Sequence, residues 1–261
     1  MSGASVPSRG AARAQVFRRK GLSRTLLRRV GLVLFFARLP AGTGGSVGVW
    51  FPAGERDDVR HGRGREGRRR NVCDSGRVRE LIADSARAME RLSLVSDGIA
   101  AACGLVTAAL RDGHKILTVG NGGSAAEALH MAEELVGRFR ADRRPLPAVC
   151  LVADPTALTC IANDFGFDRV FSRQVEALGR PGDVLVLFST SGRAENLALA
   201  LEAAGKAGMR TLCLLGRGGG PLAGRGDREV IVPEQTVERI QEAHQVILHI
   251  VLDAVEAVFH A

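Results

Sequence analysis

The chain has 261 residues, enough for one medium α/β domain plus additional material, and carries a formal net charge of +8. That charge is uneven: residues 1–70 hold 16 Arg or Lys against 4 Asp or Glu, a net of +12, while residues 71–261 hold 20 against 24, a net of −4. The mildly acidic main part gives counterion release no footing, so nucleic acid is excluded as its partner, and no uninterrupted apolar run reaches the ~18 residues of a membrane-spanning helix.

In chain order, residues 1–75 are rich in Arg and Gly, with the run RHGRGREGRRR at 60–70 and one short apolar stretch, GLVLFFA at 31–37, after Arg28 and Arg29. A basic region of about 30 residues is too long to lead a signal peptide comfortably. The segment reads as a disordered extension, or as upstream sequence translated from an early start codon, because it holds too little apolar surface to fold alone. From Arg77 the texture changes. Residues 77–93 and 96–112 have helical periodicity, with Val78, Leu81, Ile82, Ala86 and Met89 repeating at three and four.

A regular alternation follows. Strand-like runs lie at 115–119 (KILTV), 148–152 (AVCLV), 184–188 (VLVLF), 211–215 (TLCLL) and 229–232 (EVIV), with helical stretches at 124–138, 155–162, 194–207 and 237–260. Near-continuous apolar strands belong to a parallel sheet covered on both faces. The expected architecture for residues 76–261 is a three-layer αβα sandwich with a five-stranded parallel sheet, preceded by N-terminal helices. The five cysteines, Cys73, Cys103, Cys150, Cys160 and Cys213, include no CxxC pair. They read as reduced thiols of a cytoplasmic protein, with Cys150 and Cys213 buried in strands.

Two strand-to-helix junctions carry the chemistry of phosphate binding. Gly120-Asn121-Gly122-Gly123-Ser124 follows KILTV and opens a helix; its glycines admit close backbone approach, and Ser124 reads as an N-cap or a phosphate donor. Ser189-Thr190-Ser191-Gly192 follows VLVLF and places three hydroxyls ahead of another helix. Together they point to a phosphorylated ligand. Neither fits GxGxxG or GxxxxGK[ST], which disfavours a nicotinamide enzyme or an ATPase.

His130 and Glu134 stand four apart on the helix after the first loop and share a face, so one metal ion can reach both. Gln241 and His249 interrupt the apolar C-terminal helix eight residues apart, about 12 Å along the axis. That span is awkward for an ion on a single helix and easier for a site shared with another helix or subunit. His244 reads as structural or solvent-facing.

GNGGSAAEALHMAEELVGRF at 120–139, TALTCIANDFGFDRVFSRQVEALGRPGDVLVLFSTSG at 156–192 and RIQEAHQVILHIVLDAVE at 239–256 resemble the phosphoheptose isomerases, over about residues 77–261. The resemblance implies an SIS-type fold, conversion of sedoheptulose 7-phosphate to a manno-configured heptose 7-phosphate, one zinc ion per chain, and a homotetramer with interface active sites. The implied metal ligands are His130, Glu134, Gln241 and His249. Implied substrate contacts are Asn121, Gly122, Gly123, Glu134, Asn163, Asp164, Ser189, Thr190, Ser191 and Gln241, with Ser124 and Arg138 as additional candidates. Glu134 is implied as base and His249 as acid. STSGRAEN stands where the family has STSGNSxN, so Ala194 replaces a phosphate-loop serine. That departure keeps another phosphosugar open as substrate, and a non-catalytic SIS binding or regulatory module is the alternative of a different class.

Overall fold

The structure is a computed structural model and describes residues 74–260. The basic extension read over 1–75, and Cys73 with it, lies almost wholly outside the described residues. Two helices come first, α1 (Ser75–Glu90) and α2 (Ser96–Arg111), joined by a 3-10 turn over Arg91–Val95. Asp74 caps α1 by accepting a hydrogen bond from the Arg77 backbone N–H at 2.8 Å.

The sheet has five parallel strands, β1 (Ile116–Gly120), β2 (Ala148–Cys150), β3 (Val184–Ser189), β4 (Arg210–Leu215) and β5 (Arg228–Ile231), in the order β2-β1-β3-β4-β5. Its helices are α3 (Gly123–Val136), α4 (Pro155–Phe165), α5 (Ser172–Leu178), α6 (Glu195–Lys206) and α7 (Val237–Phe259). All five expected strands and six expected helices are present. The helix expected at 155–162 runs on to Phe165, and α5 was not expected. Seven residues give barely two turns, too short for a periodicity to stand out.

Alternation along each strand feeds two cores. Val184, Val186 and Phe188 of β3 join Ile99, Met131, Ile247 and Val251 on the α2–α3–α7 side. Leu185 and Leu187 join Val175, Leu197 and Leu201 on the α5–α6 side. The unbroken apolar run Val184–Phe188 of β3 therefore reflects cover on both faces. By length and composition alone, the stretch Ser75–Arg111 contains a window apolar enough to cross a membrane. The 3-10 turn breaks it, and α2 turns Ile99, Ala102, Val106, Ala109 and Leu110 into the core. Cys150 and Cys213 are buried as expected, and burial pushes the Cys213 thiol up to about 12; Cys103 is half-buried and Cys160 exposed, and all four are free.

Candidate active site

The strand order reverses between β1 and β3, which run side by side from Ile116↔Val184 to Gly120↔Phe188. In open α/β sheets this reversal leaves a crevice at the carboxyl ends of the strands. Both hydroxyl- and glycine-bearing loops emerge there. They are tied to each other: Asn121 donates to Asn196 Oδ1 at 2.9 Å, and Asn196 donates back to Asn121 Oδ1 at 3.0 Å. Asn196, in the first turn of α6, is buried; its partnership across 75 residues left no local trace in the sequence.

The two helices that begin at this crevice have no side-chain cap. Gly122 occupies the N-cap of α3 with φ 57° and ψ −122°, a conformation that suits glycine. Ser124 is therefore not the cap; it is the second helical residue and is buried. Ala194 occupies the N-cap of α6 and has no oxygen to offer. The first N–H groups of both helices are left without side-chain acceptors, and the positive ends of two helix dipoles face one crevice. Ser189 is buried and accepts a hydrogen bond from Gly192 N–H at 2.9 Å, which leaves its own hydroxyl proton free to donate. Thr190 and Ser191 are half-buried beside it.

Beyond the crevice, α3 packs along α7. His130 and Glu134 lie on the α3 side of this seam, with His130 Nε2 3.2 Å from Glu134 Oε1. His249 lies on the α7 side, its ring centroid 5.2 Å from that of His130 and 5.7 Å from the stacked ring of Phe139. Gln245, absent from the sequence-derived site, stands between the imidazoles: its Nε2 is 2.6 Å from His130 Nδ1 and 3.0 Å from His249 Nε2. With the amide nitrogen donating to both, His130 carries its proton on Nε2, where it meets Glu134, and His249 accepts at Nε2. Gln245 could have been found by spacing, since it lies four residues from both Gln241 and His249 on one helical face. Burial, with His130 and Arg140 adding to it and Glu134 opposing, holds the His249 imidazole below the usual histidine range.

Gln241 makes a different contact. Its amide lies against Gly123, where any Cβ would collide with it. Among the described residues, no hydrogen bond joins Gln241 to His130, Glu134 or His249. Gln241 thus borders the first loop, and the sequence-derived set of four divides into His130, Glu134 and His249 on the seam and Gln241 at the loop. His130, Glu133 and Glu134 offer ligand atoms that all lie within 4.8 Å of one another. Glu133, exposed, was missed because i, i+4 spacing draws attention to 130 and 134 alone. Nitrogen and carboxylate donors in that arrangement fit a zinc ion.

The remaining sequence-derived residues are placed less centrally. Asn163 and Asp164 are exposed at the end of α4 and bond locally, Asn163 donating to Asp164 Oδ1 at 2.7 Å. Arg138 is exposed just past α3. His244 is fully buried, so the solvent-facing alternative is corrected: its Nδ1 stands 3.7 Å from Glu127 Oε2, and its ring meets Phe188 edge-on at 6.1 Å. One residue before Gln245, it falls on the core side of an amphipathic helix.

The SIS domain family matches residues 81–216. The phosphoheptose isomerase of Geobacter sp. (strain M21) is 51% identical over 62% of this chain and 84% of its own length. That of Geotalea daltonii is 47% identical over 69% of this chain and 94% of its own. Among solved structures, phosphoheptose isomerase GmhA from Neisseria gonorrhoeae superposes with a TM-score of 0.66 at 42% identity, covering 70% of this chain and 98% of that one.

Proposed function

We infer, because this chain belongs to the phosphoheptose isomerase family of SIS-domain proteins, that it interconverts sedoheptulose 7-phosphate and D-glycero-D-manno-heptose 7-phosphate through an enediol, in heptose biosynthesis. The observation that carries this reading is the convergence of His130, Glu134 and His249 on one seam beside a crevice lined by two uncapped helix N-termini. A module that only binds phosphosugars needs the crevice and has no use for the seam.

Aldose–ketose isomerisation moves a proton between C1 and C2 and needs a base at carbon and a proton donor at oxygen. The phosphate binds at the crevice, to the N–H groups that begin α3 and α6 and to the hydroxyls of Ser189, Thr190 and Ser191, with Asn121, Gly122, Gly123 and Ser124 forming the other wall. Asn163, Asp164, Arg138 and Gln241 complete the sugar contacts. The Glu134 carboxylate removes the carbon-bound proton, and the His249 imidazole exchanges a proton with the oxygen. An imidazole held neutral by its surroundings still has an N–H to donate to a developing oxyanion. His130, Glu134 and His249 would hold zinc, with Gln241 as a further ligand. When bound, zinc supplies a Lewis acid that polarises the sugar oxygens. Incubating purified protein with sedoheptulose 7-phosphate should yield an aldose 7-phosphate detectable by phosphorus NMR; binding without conversion would overturn the enzymatic reading.

The same reading includes a homotetramer in the cytoplasm. Its support is apolar surface unused within one chain: Ile82 and Leu94 are 63% and 74% exposed, and none of the 11 residues of α4 is buried. It also includes a division into an extension, residues 1–75, and an isomerase domain, residues 76–261. A chain beginning at Val72 should fold, assemble and turn over like the full one, by circular dichroism, sedimentation and assay. Loss of soluble protein or of activity on removing residues 1–71 would make the extension part of the domain.

A further inference from the structure

We propose that Arg143 and Glu256, a buried ion pair behind the seam, are positioning residues that hold Glu134 and His249 in register for proton transfer. The inference rests on the acid–base reading above and adds what keeps the two groups in place, although they belong to different helices.

Helix α3 ends without a basic residue in its last turn, so its terminal carbonyls have no local cation. Arg143, seven residues beyond the helix, supplies one. Its guanidinium donates from Nη2 to the Glu134 carbonyl at 2.7 Å and from Nη1 to the Leu135 carbonyl at 3.0 Å. The planar fork thus grips the backbone of the residue that carries the base. The side chain is 1% exposed, and its Nε lies 3.6 Å from Glu256 Oε2, itself buried on α7. The other Glu256 oxygen accepts the Ala141 backbone N–H at 2.9 Å.

Glu256 stands seven residues after His249, two turns along the same face of α7. The segment between α3 and Arg143 is therefore fastened along that face: Phe139 stacks on His249, Arg140 pairs with Asp253, and Ala141 and Arg143 meet Glu256. One end of the clamp reaches Glu134 through its carbonyl, and the other holds Ala141, two residues after the Phe139 that stacks on His249. A buried charge pair is costly to desolvate and often adds little net stability. Here Arg143 Nε and Glu256 Oε2 face each other without a hydrogen bond, so geometry is fixed by the two guanidinium–carbonyl bonds and the Ala141 bond, with the charge pair joining them. Its position, bonded to the backbone of one reactive residue and to the short segment that carries the stacking partner of the other, assigns it to alignment. It touches neither phosphate loop.

Glu256→Gln keeps the side chain's size and shape and an acceptor for Ala141 N–H but removes the charge; Arg143→Lys keeps the charge but loses the fork. Each should lower kcat on sedoheptulose 7-phosphate by about tenfold to thirtyfold, since sub-ångström misalignment of reacting groups is felt at that scale. KM should stay within about twofold, because the phosphate loops are untouched. The double variant should lose little more than either single one, as expected of residues acting as a unit. If Arg143→Lys does not fold, Glu256→Gln carries the test. Wild-type kcat in Glu256→Gln overturns the proposal, as does a loss in which KM rises in step with a lowered melting temperature. Glu134→Gln, assayed beside them, separates the two levels: an active Glu134→Gln sinks the acid–base reading itself. An inactive Glu134→Gln with a fully active Glu256→Gln sinks only the clamp.

Discussion

His249→Ala should lower turnover of sedoheptulose 7-phosphate by a factor on the order of 10² or more, equivalent to about 2.7 kcal/mol of lost transition-state stabilisation. The imidazole is half-buried on the seam, 5.2 Å from the His130 ring, and stacks on Phe139 at its rim. Its removal deletes the proposed proton donor without opening the core. His244→Ala makes the matching comparison. That residue is fully buried between Glu127 and Phe188, so truncation leaves a cavity and should cost about 1–3 kcal/mol of stability. For a domain of this size the melting temperature should fall by roughly 2–4 °C per kcal/mol, with turnover of the folded protein changed far less. Thermal melts and steady-state kinetics on both variants separate the two roles. Equal losses of turnover at 244 and 249 would trace both effects to the packing of α7 and remove His249 from the chemistry.

Chelation should abolish isomerase activity and strip the protein of close to one zinc per chain, with activity returning on readdition of zinc. His130, Glu133 and Glu134 offer ligand atoms within 4.8 Å of one another, and His249 faces His130 across the seam. Residues brought together from two helices respond jointly when one ion couples them, and a site of three or four ligands loses much of its affinity with one. His130→Ala and Glu134→Gln should therefore each reduce metal content by elemental analysis. The fold should persist in both, because neither His130 nor Glu134 belongs to either of the two buried cores. Purified protein that is free of metal, indifferent to chelators and still active would remove zinc from the mechanism.

Gln245 shows how far a one-dimensional pattern reaches into a site. The spacing of Gln241 and His249 marks one face of α7, and Gln245 lies on that same face midway between them. Nothing in the spacing says that its amide bonds both imidazoles while Gln241 turns to Gly123. His244 makes the complementary point. A histidine one position off that face reads equally well as structural or exposed, and only the packing of α7 against β3 decides that it is buried.

By itself the sequence determined the layer architecture, the five strands and the two phosphate-type loops. Each depends on short-range rules: apolar runs at KILTV and VLVLF for a doubly covered sheet, and glycine or hydroxyl residues at the strand-to-helix turns. The match of His130 to Glu134 was legible for the same reason, because one helical turn fixes their separation. Only the tertiary structure decided what lies across a gap in the chain. The Asn121–Asn196 bridge spans 75 residues, the His130–Gln245 contact 115, and the Arg143–Glu256 pair joins an irregular segment to the last turns of α7. Those contacts follow from the strand order β2-β1-β3-β4-β5 and from α3 packing along α7. Periodicity along one helix or strand carries no information about which neighbour it will meet, because that choice is made by the burial of whole faces and not by any local preference.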